Sequence, residues 1–290
     1  MQDSTKIWAG EMEGYKLLDC GDKKKLEEIR GVRIVRAEPR AWWKRELSEN
    51  EWRNTETVLE TIVDIFEGVK AKIKFKSGSK HIGIFPEQIS QWQWIAEKLK
   101  TENSKPVLSL LNGLKIPNSL NVLNLFGYTG IASLVAARAG ARITHVDASK
   151  ASIDWARENQ KLSELEDAPI RWILDDVLKF INKEKRQGKK YDCLIMDPPQ
   201  FGKGPKGEIW KIEEKLPELL KACREILSDE PLFVIFNMYA TELSSLSVAN
   251  LLRDTTKGLN GRIESGELVI KQENSTRLLP MSIFALWCAK

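Results

Sequence analysis

Histidine and cysteine are scarce in this sequence. The 290 residues include two histidines and four widely separated cysteines, and no CxxC pair occurs. Zinc sites and disulfide frameworks draw on such residues at close, regular spacing. We therefore expect neither a metal site nor a disulfide framework, and a reducing, cytoplasmic compartment fits four free thiols.

Long apolar runs are also missing. Apolar stretches such as residues 232–236 are far shorter than the roughly 20 residues that a membrane span needs. The polar first residues do not resemble a secretion signal, so we expect no membrane span and no export. With 42% hydrophobic and 30% charged residues, the composition is that of a globular protein rather than a disordered or fibrous one. The length suggests about two domains.

The net charge of +4 is small, but the basic residues are clustered. Residues 23–45 hold nine basic and three acidic side chains, and five lysines follow between positions 70 and 80. Such patches can bind an anionic polymer such as RNA. They are equally consistent with solvated faces balanced by the acidic residues of segment 46–67.

The first 80 residues predict a small β-rich N-terminal domain, preceded by a loose arm at 1–11. Apolar runs at 15–19 and 32–36, separated by glycine turns, predict two strands. Residues 69–76 alternate between apolar residues and lysines, which predicts a half-buried strand. Its lysine face would contact phosphate or protect a sheet edge, and we prefer the second role.

Beyond residue 80, in a second predicted domain at 81–290, strands alternate with helices. A helix is expected at 87–101. The strands that follow are predicted at 121–126, 142–147, 170–174, 191–196 and 232–237, with helices at 130–139, 149–160, 177–187, 209–227 and 241–254. Helical crossovers of this length make the strands parallel. The last two strands, 268–272 and 282–287, are joined too closely for a helix and predict an antiparallel hairpin. The predicted fold is therefore α/β, with a doubly wound, seven-stranded, mostly parallel sheet that ends in this hairpin.

The turn after the first of these strands reads Asn-Leu-Phe-Gly-Tyr-Thr-Gly at 124–130. Gly127 and Gly130 would let a ligand approach the backbone at the end of a strand. The glycine spacings of dinucleotide and nucleoside triphosphate sites are absent. Asp147, which ends the next strand, can accept hydrogen bonds from a ribose diol, cap the helix that follows, or do both.

Two further acidic segments follow later strands. Asp175 and Asp176 could accept a hydrogen bond from the amine of adenine, although paired acids are also common in turns. Residues 197–201 read Asp-Pro-Pro-Gln-Phe. The prolines withhold two N–H groups, so the carbonyls there are expected to point freely into a pocket beside the Asp197 carboxylate. Phe201 offers a face for a planar ring.

On these motifs the stretch 81–290 resembles the class I S-adenosylmethionine-dependent methyltransferases, within the branch that contains large-subunit rRNA methyltransferases. The segments that carry the resemblance are 81–88, 124–130, 147–149, 175–177 and 197–201. The terminal hairpin also fits that class, whereas dehydrogenases normally keep the sheet parallel. The resemblance implies S-adenosylmethionine as cofactor, no metal and RNA as partner.

The resemblance also implies roles for individual residues. Residues implied in cofactor binding are Phe85, Gln88, Asn124, Phe126, Gly127, Tyr128, Thr129, Gly130, Asp147, Ala148, Ser149, Asp175, Asp176 and Val177. Residues implied in holding the methyl acceptor are Asp197, Pro198, Pro199 and Phe201. Three lysines beyond that motif, Lys203, Lys206 and Lys211, would hold flanking phosphates or lie in a solvated loop.

One departure from this branch bears on the atom that is methylated. Members that methylate carbon 5 of cytosine need a cysteine after the fifth strand, and residues 236–243 contain none. Cys193 and Cys223 are expected to be packing residues. We therefore expect methylation of a nitrogen in an rRNA base. A protein amide or a small molecule is the alternative acceptor, and a nicotinamide-dependent dehydrogenase or a non-catalytic binding module is the alternative class.

Overall fold

The structure, a computed structural model, describes residues 5–103, 119–239 and 242–290. Its N-terminal part is built mostly of strands. In chain order these elements are β1 (Lys6–Ala9), β2 (Tyr15–Gly21), β3 (Lys24–Ile29), β4 (Val32–Ala37), α1 (Glu49–Arg53), β5 (Val58–Phe66) and β6 (Val69–Lys76). Strands β2, β3 and β4 form an antiparallel sheet, and β5 pairs with β6. The predicted β-rich N-terminal region is confirmed.

The remainder of the chain alternates strands and helices as predicted. After a single 3-10 turn at Pro86–Gln88 come α2 (Ile89–Asn103), β7 (Asn121–Leu125), α3 (Ile131–Arg138), β8 (Arg142–Asp147), α4 (Lys150–Leu162), β9 (Ile170–Leu174) and α5 (Val177–Arg186). They are followed by β10 (Cys193–Met196), β11 (Phe201–Lys203), β12 (Ile209–Lys211), α6 (Ile212–Ile226), β13 (Phe233–Met238), α7 (Ser245–Thr255), β14 (Gly261–Lys271) and β15 (Leu278–Ala289).

The main sheet has the order β1-β14-β15-β13-β10-β7-β8-β9. Strands β9, β8, β7, β10 and β13 are parallel, and β15 runs antiparallel to both β13 and β14. This is the predicted doubly wound, mostly parallel sheet with a C-terminal antiparallel hairpin. The carboxyl ends of the parallel strands therefore meet along one edge, where ligands bind in open α/β sheets.

The loose arm expected at 1–11 is wrong for residues 6–9, because they add an eighth strand, β1, parallel to β14. Gly266 makes the pairing possible, since a Cβ at that position would lie 1.8 Å from the Lys6 carbonyl oxygen. The Trp8 ring also packs 4.9 Å from that of Phe284. Strand β1 thus covers an edge that the terminal hairpin would otherwise leave open. The division into domains 1–80 and 81–290 stays a prediction.

Two predicted helices begin later than expected. The segment predicted as helix 209–227 starts as strand β12, and α6 begins only at Ile212. Helix α7 begins at Ser245, where the Ser244 hydroxyl accepts a hydrogen bond from the Ser247 N–H. This side-chain cap fixes the start of the helix. Position 241 of the predicted helix lies outside the described residues.

The lysine face of β6 packs against helix α4. Its apolar face is buried as predicted. The Lys72 Nζ lies 2.7 Å from a Glu158 carboxylate oxygen, and the Lys74 Nζ lies 3.2 Å from the other. The Lys72 N–H donates to Asn159 Oδ1 at 2.9 Å, so α4 also occupies part of the strand's edge. These two lysines join the strand to the catalytic sheet's own helix, a role that the sequence did not suggest.

The cysteines are buried in the core. All four are free and have little or no exposed surface. Cys193 and Cys223 are therefore packing residues, as predicted. Within the described ranges, no helix is long and apolar enough to span a membrane, and no cluster of His, Cys, Asp and Glu side chains could hold a metal ion.

Candidate active site

A cavity of about 650 Å³ lies at the carboxyl ends of β7, β8, β9 and β10. Strand β4 and the segments after it, together with residues 80–87, form its opposite wall. A small cavity of about 40 Å³ shares Phe85, Tyr128 and Asp197 with this large cavity and reaches towards α2 and α3. The site therefore lies between the catalytic sheet and the N-terminal strands.

The turn after β7 has a strained backbone. Phe126 and Tyr128 have φ angles of 57° and 51°, in the left-handed region that non-glycine residues rarely adopt. Between them, Gly127 leaves no room for a side chain, since a Cβ there would lie 2.3 Å from the His145 ring. The Gly127 N–H donates to the Val146 carbonyl at 3.1 Å. The turn is thus held rigidly against β8, and strain of this kind is typical of ligand sites.

Asp147 fixes the same turn through its carboxylate. One oxygen accepts from the Tyr128 N–H and the other from the Ser149 N–H, both at 2.8 Å. The residue that caps α4 is Ser149, whose hydroxyl accepts a hydrogen bond from the Ser152 N–H. Burial raises the pKa of Asp147. Each carboxylate oxygen can accept a second hydrogen bond, so Asp147 still has capacity to bind a ligand in the large cavity.

The paired acids after β9 have different positions. Asp176 caps α5 by accepting from the Lys179 N–H at 3.0 Å, and it lines the large cavity together with Val177. Asp175 accepts from the Asp176 N–H at 2.9 Å and lines neither cavity. Only the second acid of the pair can therefore meet a ligand in these cavities.

Asp197 lies at the centre of the site. Gln88 Nε2 donates to its carboxylate at 2.8 Å and to the Tyr239 hydroxyl at 2.9 Å. Burial raises the pKa of Asp197 to about 7, and the hydrogen bond from Gln88 offsets part of that effect. A carboxyl group with this pKa can exchange a proton near neutral pH.

The double proline is only partly as expected. The Trp210 indole N–H donates to the Pro199 carbonyl at 2.6 Å, so this carbonyl is not free. Among the described residues no hydrogen bond reaches the Pro198 carbonyl, and Pro198 lines the large cavity. Phe201 begins the short β11–β12 hairpin, with 57% of its surface exposed beside the cavity. A carboxylate, one available carbonyl and one exposed ring therefore surround this end of the cavity.

Most of the residues singled out in the sequence come together around the two cavities. Those lining the large cavity are Phe85, Phe126, Tyr128, Asp147, Ala148, Ser149, Asp176, Val177, Asp197, Pro198, Pro199 and Phe201. The small cavity adds Gln88, Asn124, Gly127 and Thr129. Gly130 and Asp175 line neither, and Gly130 instead occupies the N-cap position before α3 with a φ of 81°. Of the three lysines, Lys203 lines the large cavity, Lys206 is exposed and Lys211 pairs with Glu214.

The sequence did not predict that the N-terminal strands form one wall of the large cavity. Lys25 and Arg36, which belong to the basic cluster at 23–45, are buried around Glu27 and line the large cavity. The Arg36 guanidinium donates twice to the Glu27 carboxylate, at 2.5 and 2.6 Å, and Tyr15 donates at 2.7 Å. Burial would raise the pKa of Glu27, but Arg36 and Lys25 hold it at about 2. The available signal was that Lys25 and Glu27 share one face of a strand.

Comparison with known proteins identifies the class. The family model for S-adenosylmethionine-dependent methyltransferases matches residues 115–245. The SAM-dependent methyltransferase from Agrobacterium tumefaciens is 38% identical, with a TM-score of 0.88 over 98% of this chain and 94% of that one. The chain belongs to the S-adenosylmethionine-dependent methyltransferases, and S-adenosylmethionine is its cofactor. The predicted class, fold and cofactor are confirmed, and the nicotinamide-dependent alternative is excluded.

One more distant solved structure shares the fold, and two curated relatives share part of the sequence. A methyltransferase from Streptococcus mutans has a TM-score of 0.68 at 16% identity, over 96% of this chain and 76% of that one. "Ribosomal RNA large subunit methyltransferase I" of Aeromonas salmonicida is 29% identical over 58% of this chain and 35% of that protein. "Ribosomal RNA large subunit methyltransferase K/L" of Shewanella frigidimarina is 39% identical over 37% of this chain and 15% of that protein. The chain thus matches only about a third or less of these curated relatives.

Proposed function

We propose that this methyltransferase acts on a nitrogen of a base in ribosomal RNA, by direct transfer of the methyl group. The observation that carries the proposal is the half-buried Asp197 carboxylate, placed beside the available Pro198 carbonyl and the exposed Phe201 ring. Two acceptors can orient an N–H group while the ring stacks on its base. The names of the curated relatives support RNA as the substrate class.

The cavities fit the cofactor. Gly127 lines the small cavity without a side chain of its own, and the amide side chains of Asn124 and Gln88 also line it, which suits the polar methionine end. Asp147 retains acceptor capacity for the two ribose hydroxyls. Asp176 also lines the large cavity, where its carboxylate can accept a hydrogen bond from the adenine amine. We assign the three parts of the cofactor to these residues.

When bound, the cofactor supplies a methyl group already activated on a sulfonium, so the protein mainly positions the acceptor. Asp197 accepts a hydrogen bond from the target N–H and takes its proton as the nitrogen is methylated. Gln88 holds that carboxylate in place through its donated hydrogen bond. The Pro198 carbonyl orients a second N–H if the target is an exocyclic amine.

Nitrogen is favoured over carbon because no thiolate is available. Cys193 and Cys223 are fully buried in the core, and burial raises the pKa of both thiols. Methylation at carbon 5 of cytosine requires a cysteine thiolate to attack the ring. Neither of these cysteines lines the large cavity, and none of the four does.

The proposal is tested by mass spectrometry of rRNA nucleosides from a strain that lacks the gene. We expect one nitrogen-methylated nucleoside to disappear and to return when the wild-type gene, but not an empty vector, is restored. Unchanged rRNA in the deletion strain, together with a lost methyl mark on a protein amide or a small molecule, would contradict the proposal. Loss of a 5-methylcytosine would contradict the assignment to nitrogen.

A further inference from the structure

Trp42 has an exposed ring and follows directly on the N-terminal wall of the large cavity. It is 79% exposed, the highest value among the large hydrophobic residues of the described ranges. Pro39 and Arg40, three and two residues earlier, line the cavity. Tryptophan is mostly buried in folded proteins because its ring removes a large apolar area from water. A ring left in water next to a substrate cavity is available to a partner.

The backbone that carries Trp42 is held in place. The Ala41 carbonyl accepts from the Lys23 N–H at 2.8 Å, and the Trp43 carbonyl accepts from the Asp22 N–H at 2.7 Å. The Trp43 indole also donates to a backbone carbonyl of β2 at 2.8 Å. Ala41 is buried. The Trp42 ring is therefore attached to a fixed segment, and a ligand that stacks on it has little protein to order.

Lys23 places a positive charge beside the same ring. Its Nζ lies 5.6 Å from the centroid of the Trp42 ring. The φ angles of Asp22 and Lys23 are 49° and 61°, in the left-handed region that favours glycine. The turn therefore keeps a lysine where glycine would be less strained. Lys23 and Lys24 are both exposed, and neither forms an ion pair with another described residue, so their charges are available to an anion.

Exposed rings and lysines occur on both walls of the cavity. Phe201 and Lys203 of the β11–β12 hairpin are exposed and line it, and Lys80 is exposed and lines it from the N-terminal wall. Within the part of the chain that the structure describes, neither of these lysines is in an ion pair. Single-stranded nucleic acids bind to such combinations, because bases stack on the rings and phosphates meet the cations. An acidic peptide would use the cations alone, so the rings favour a nucleotide.

We propose that the Trp42 ring stacks on the unpaired base of a nucleotide that flanks the methylated one, while Lys23 and Lys24 bind its phosphates. This inference rests on the proposed function, in which the methylated base enters the cavity. A base that is flipped out leaves its neighbours without a stacking partner, and the Trp42 ring replaces that partner. Stacking depends little on which base is present, so Trp42 contributes affinity rather than sequence preference.

Binding of RNA tests the role of the ring. The probe is a labelled single-stranded RNA of about 12 nucleotides and mixed sequence, and fluorescence anisotropy with the full chain gives the affinity. We expect Trp42→Ala to weaken binding about 5- to 150-fold, the effect of losing one stacked base, and Trp42→Tyr to retain most of the affinity. The matched control is Ile7→Ala, which shortens a 60% exposed apolar side chain on the edge strand β1 and should change nothing. Unchanged affinity in Trp42→Ala, or equal losses in the Ala and Tyr variants, would overturn the stacking role.

Salt dependence and a competitor test the charges. Each lysine that meets a phosphate of a single strand adds about 0.7 to the slope of log affinity against log salt concentration, so Lys23→Gln should lower that slope by about this amount. The control is Lys189→Gln, an exposed lysine that lines neither cavity and should leave the slope as it is. Polyglutamate should compete far less well than RNA. An unchanged slope in Lys23→Gln, or equal competition by polyglutamate, would overturn the choice of a nucleotide.

Two further readouts separate this inference from the proposed function. Calorimetry should show S-adenosylmethionine affinity within about threefold of wild type in every variant, because Trp42 and Lys23 line neither cavity. If the wild-type gene restores a methyl mark to rRNA but Trp42→Ala binds RNA normally, the inference is wrong and the proposed function stands. If RNA binding requires Trp42 but the deletion strain lacks no rRNA mark, the proposed function is wrong and the RNA-binding surface stands. If Trp42→Ala does not fold, Trp42→Tyr and the Lys23→Gln slope decide.

Discussion

At the scale of single residues, Asp197 combines burial with access to the large cavity. Burial alone would favour the neutral acid, and the donated hydrogen bond from Gln88 favours the carboxylate. The balance places its pKa at about 7. In the proposed mechanism only the ionised form can accept a proton from the target nitrogen, so the pH would decide how much of the enzyme is active.

We therefore expect methyl transfer to increase with pH through about 7. The pKa is raised, so the carboxyl group is mostly neutral below this value and mostly ionised above it, and activity is lost as the pH falls. Single-turnover rates measured from about pH 5.5 to 8.5 check this. Gln88→Ala removes the donor that favours the ionised form and should move the midpoint to higher pH. A flat profile in the wild-type enzyme would contradict a role for this ionisation.

Residues at strand ends could be predicted from the sequence because each motif follows its strand directly. Asp147, Asp176 and Asp197 come to one edge of the sheet for that reason, and so they line the same cavity. The same argument does not predict the hydrogen bond that occupies the Pro199 carbonyl, which was expected to be free. Its partner, Trp210, reaches it only because the β11–β12 hairpin folds back.

At the scale of elements, strand β3 shows how charged side chains are stabilised in the buried wall of the large cavity. Glu27 on this strand is fully buried, and its charge is matched by Arg36 on β4 and Lys25 two residues earlier. The pairing of β3 with β4 brings these charges together. Removal of one member leaves buried charges without a partner, which is more costly than the pair itself is stabilising.

We expect Glu27→Gln to destabilise the protein by about 3–5 kcal/mol, because Arg36 and Lys25 would then be buried without their carboxylate. Denaturant unfolding followed by tryptophan fluorescence measures the free energy of unfolding. The control is Glu28→Gln on the more exposed face of the same strand, where the pair with Arg33 at 3.5 Å should contribute about 1 kcal/mol or less. Equal effects of the two substitutions would show that the buried cluster contributes little to stability.

The same network also gives stability a defined pH dependence. The pKa of Glu27 is lowered in the folded protein, to about 2. Its contribution is therefore fully present above the pKa of the unfolded chain, about 4.3, and is lost as the pH falls towards 2. The Glu27→Gln variant should lack this part of the acid-induced loss of stability.

The alternation of strands and helices after residue 80 could be predicted because crossover helices and apolar strands have distinct periodicities. Strands β1 and β3 could not. The first pairs with β14, far away in the sequence, and a single glycine at position 266 makes room for it. The second carries Glu27, whose buried partner Arg36 lies on another strand, so its composition resembles that of a solvated face.

At the scale of the whole molecule, the N-terminal strands and the catalytic sheet share one hydrophobic core and one cavity. Val63, Ala71 and Ile73 of β5 and β6 belong to the same buried cluster as Leu134 and Val135 of α3. The wall opposite Asp197 is therefore fixed relative to the sheet. Under the proposed function, the sheet edge would bind the cofactor and the N-terminal strands would face the acceptor.

The measurement that tests this account most directly is methyl transfer from labelled S-adenosylmethionine to RNA by wild-type enzyme and by Asp197→Ala. We predict that the variant binds the cofactor within several-fold of the wild-type affinity in calorimetry and transfers methyl groups at least about 100-fold more slowly, since it has lost its proton acceptor. Transfer at the wild-type rate by a folded Asp197→Ala protein would contradict the central claim that this carboxylate receives the acceptor nitrogen.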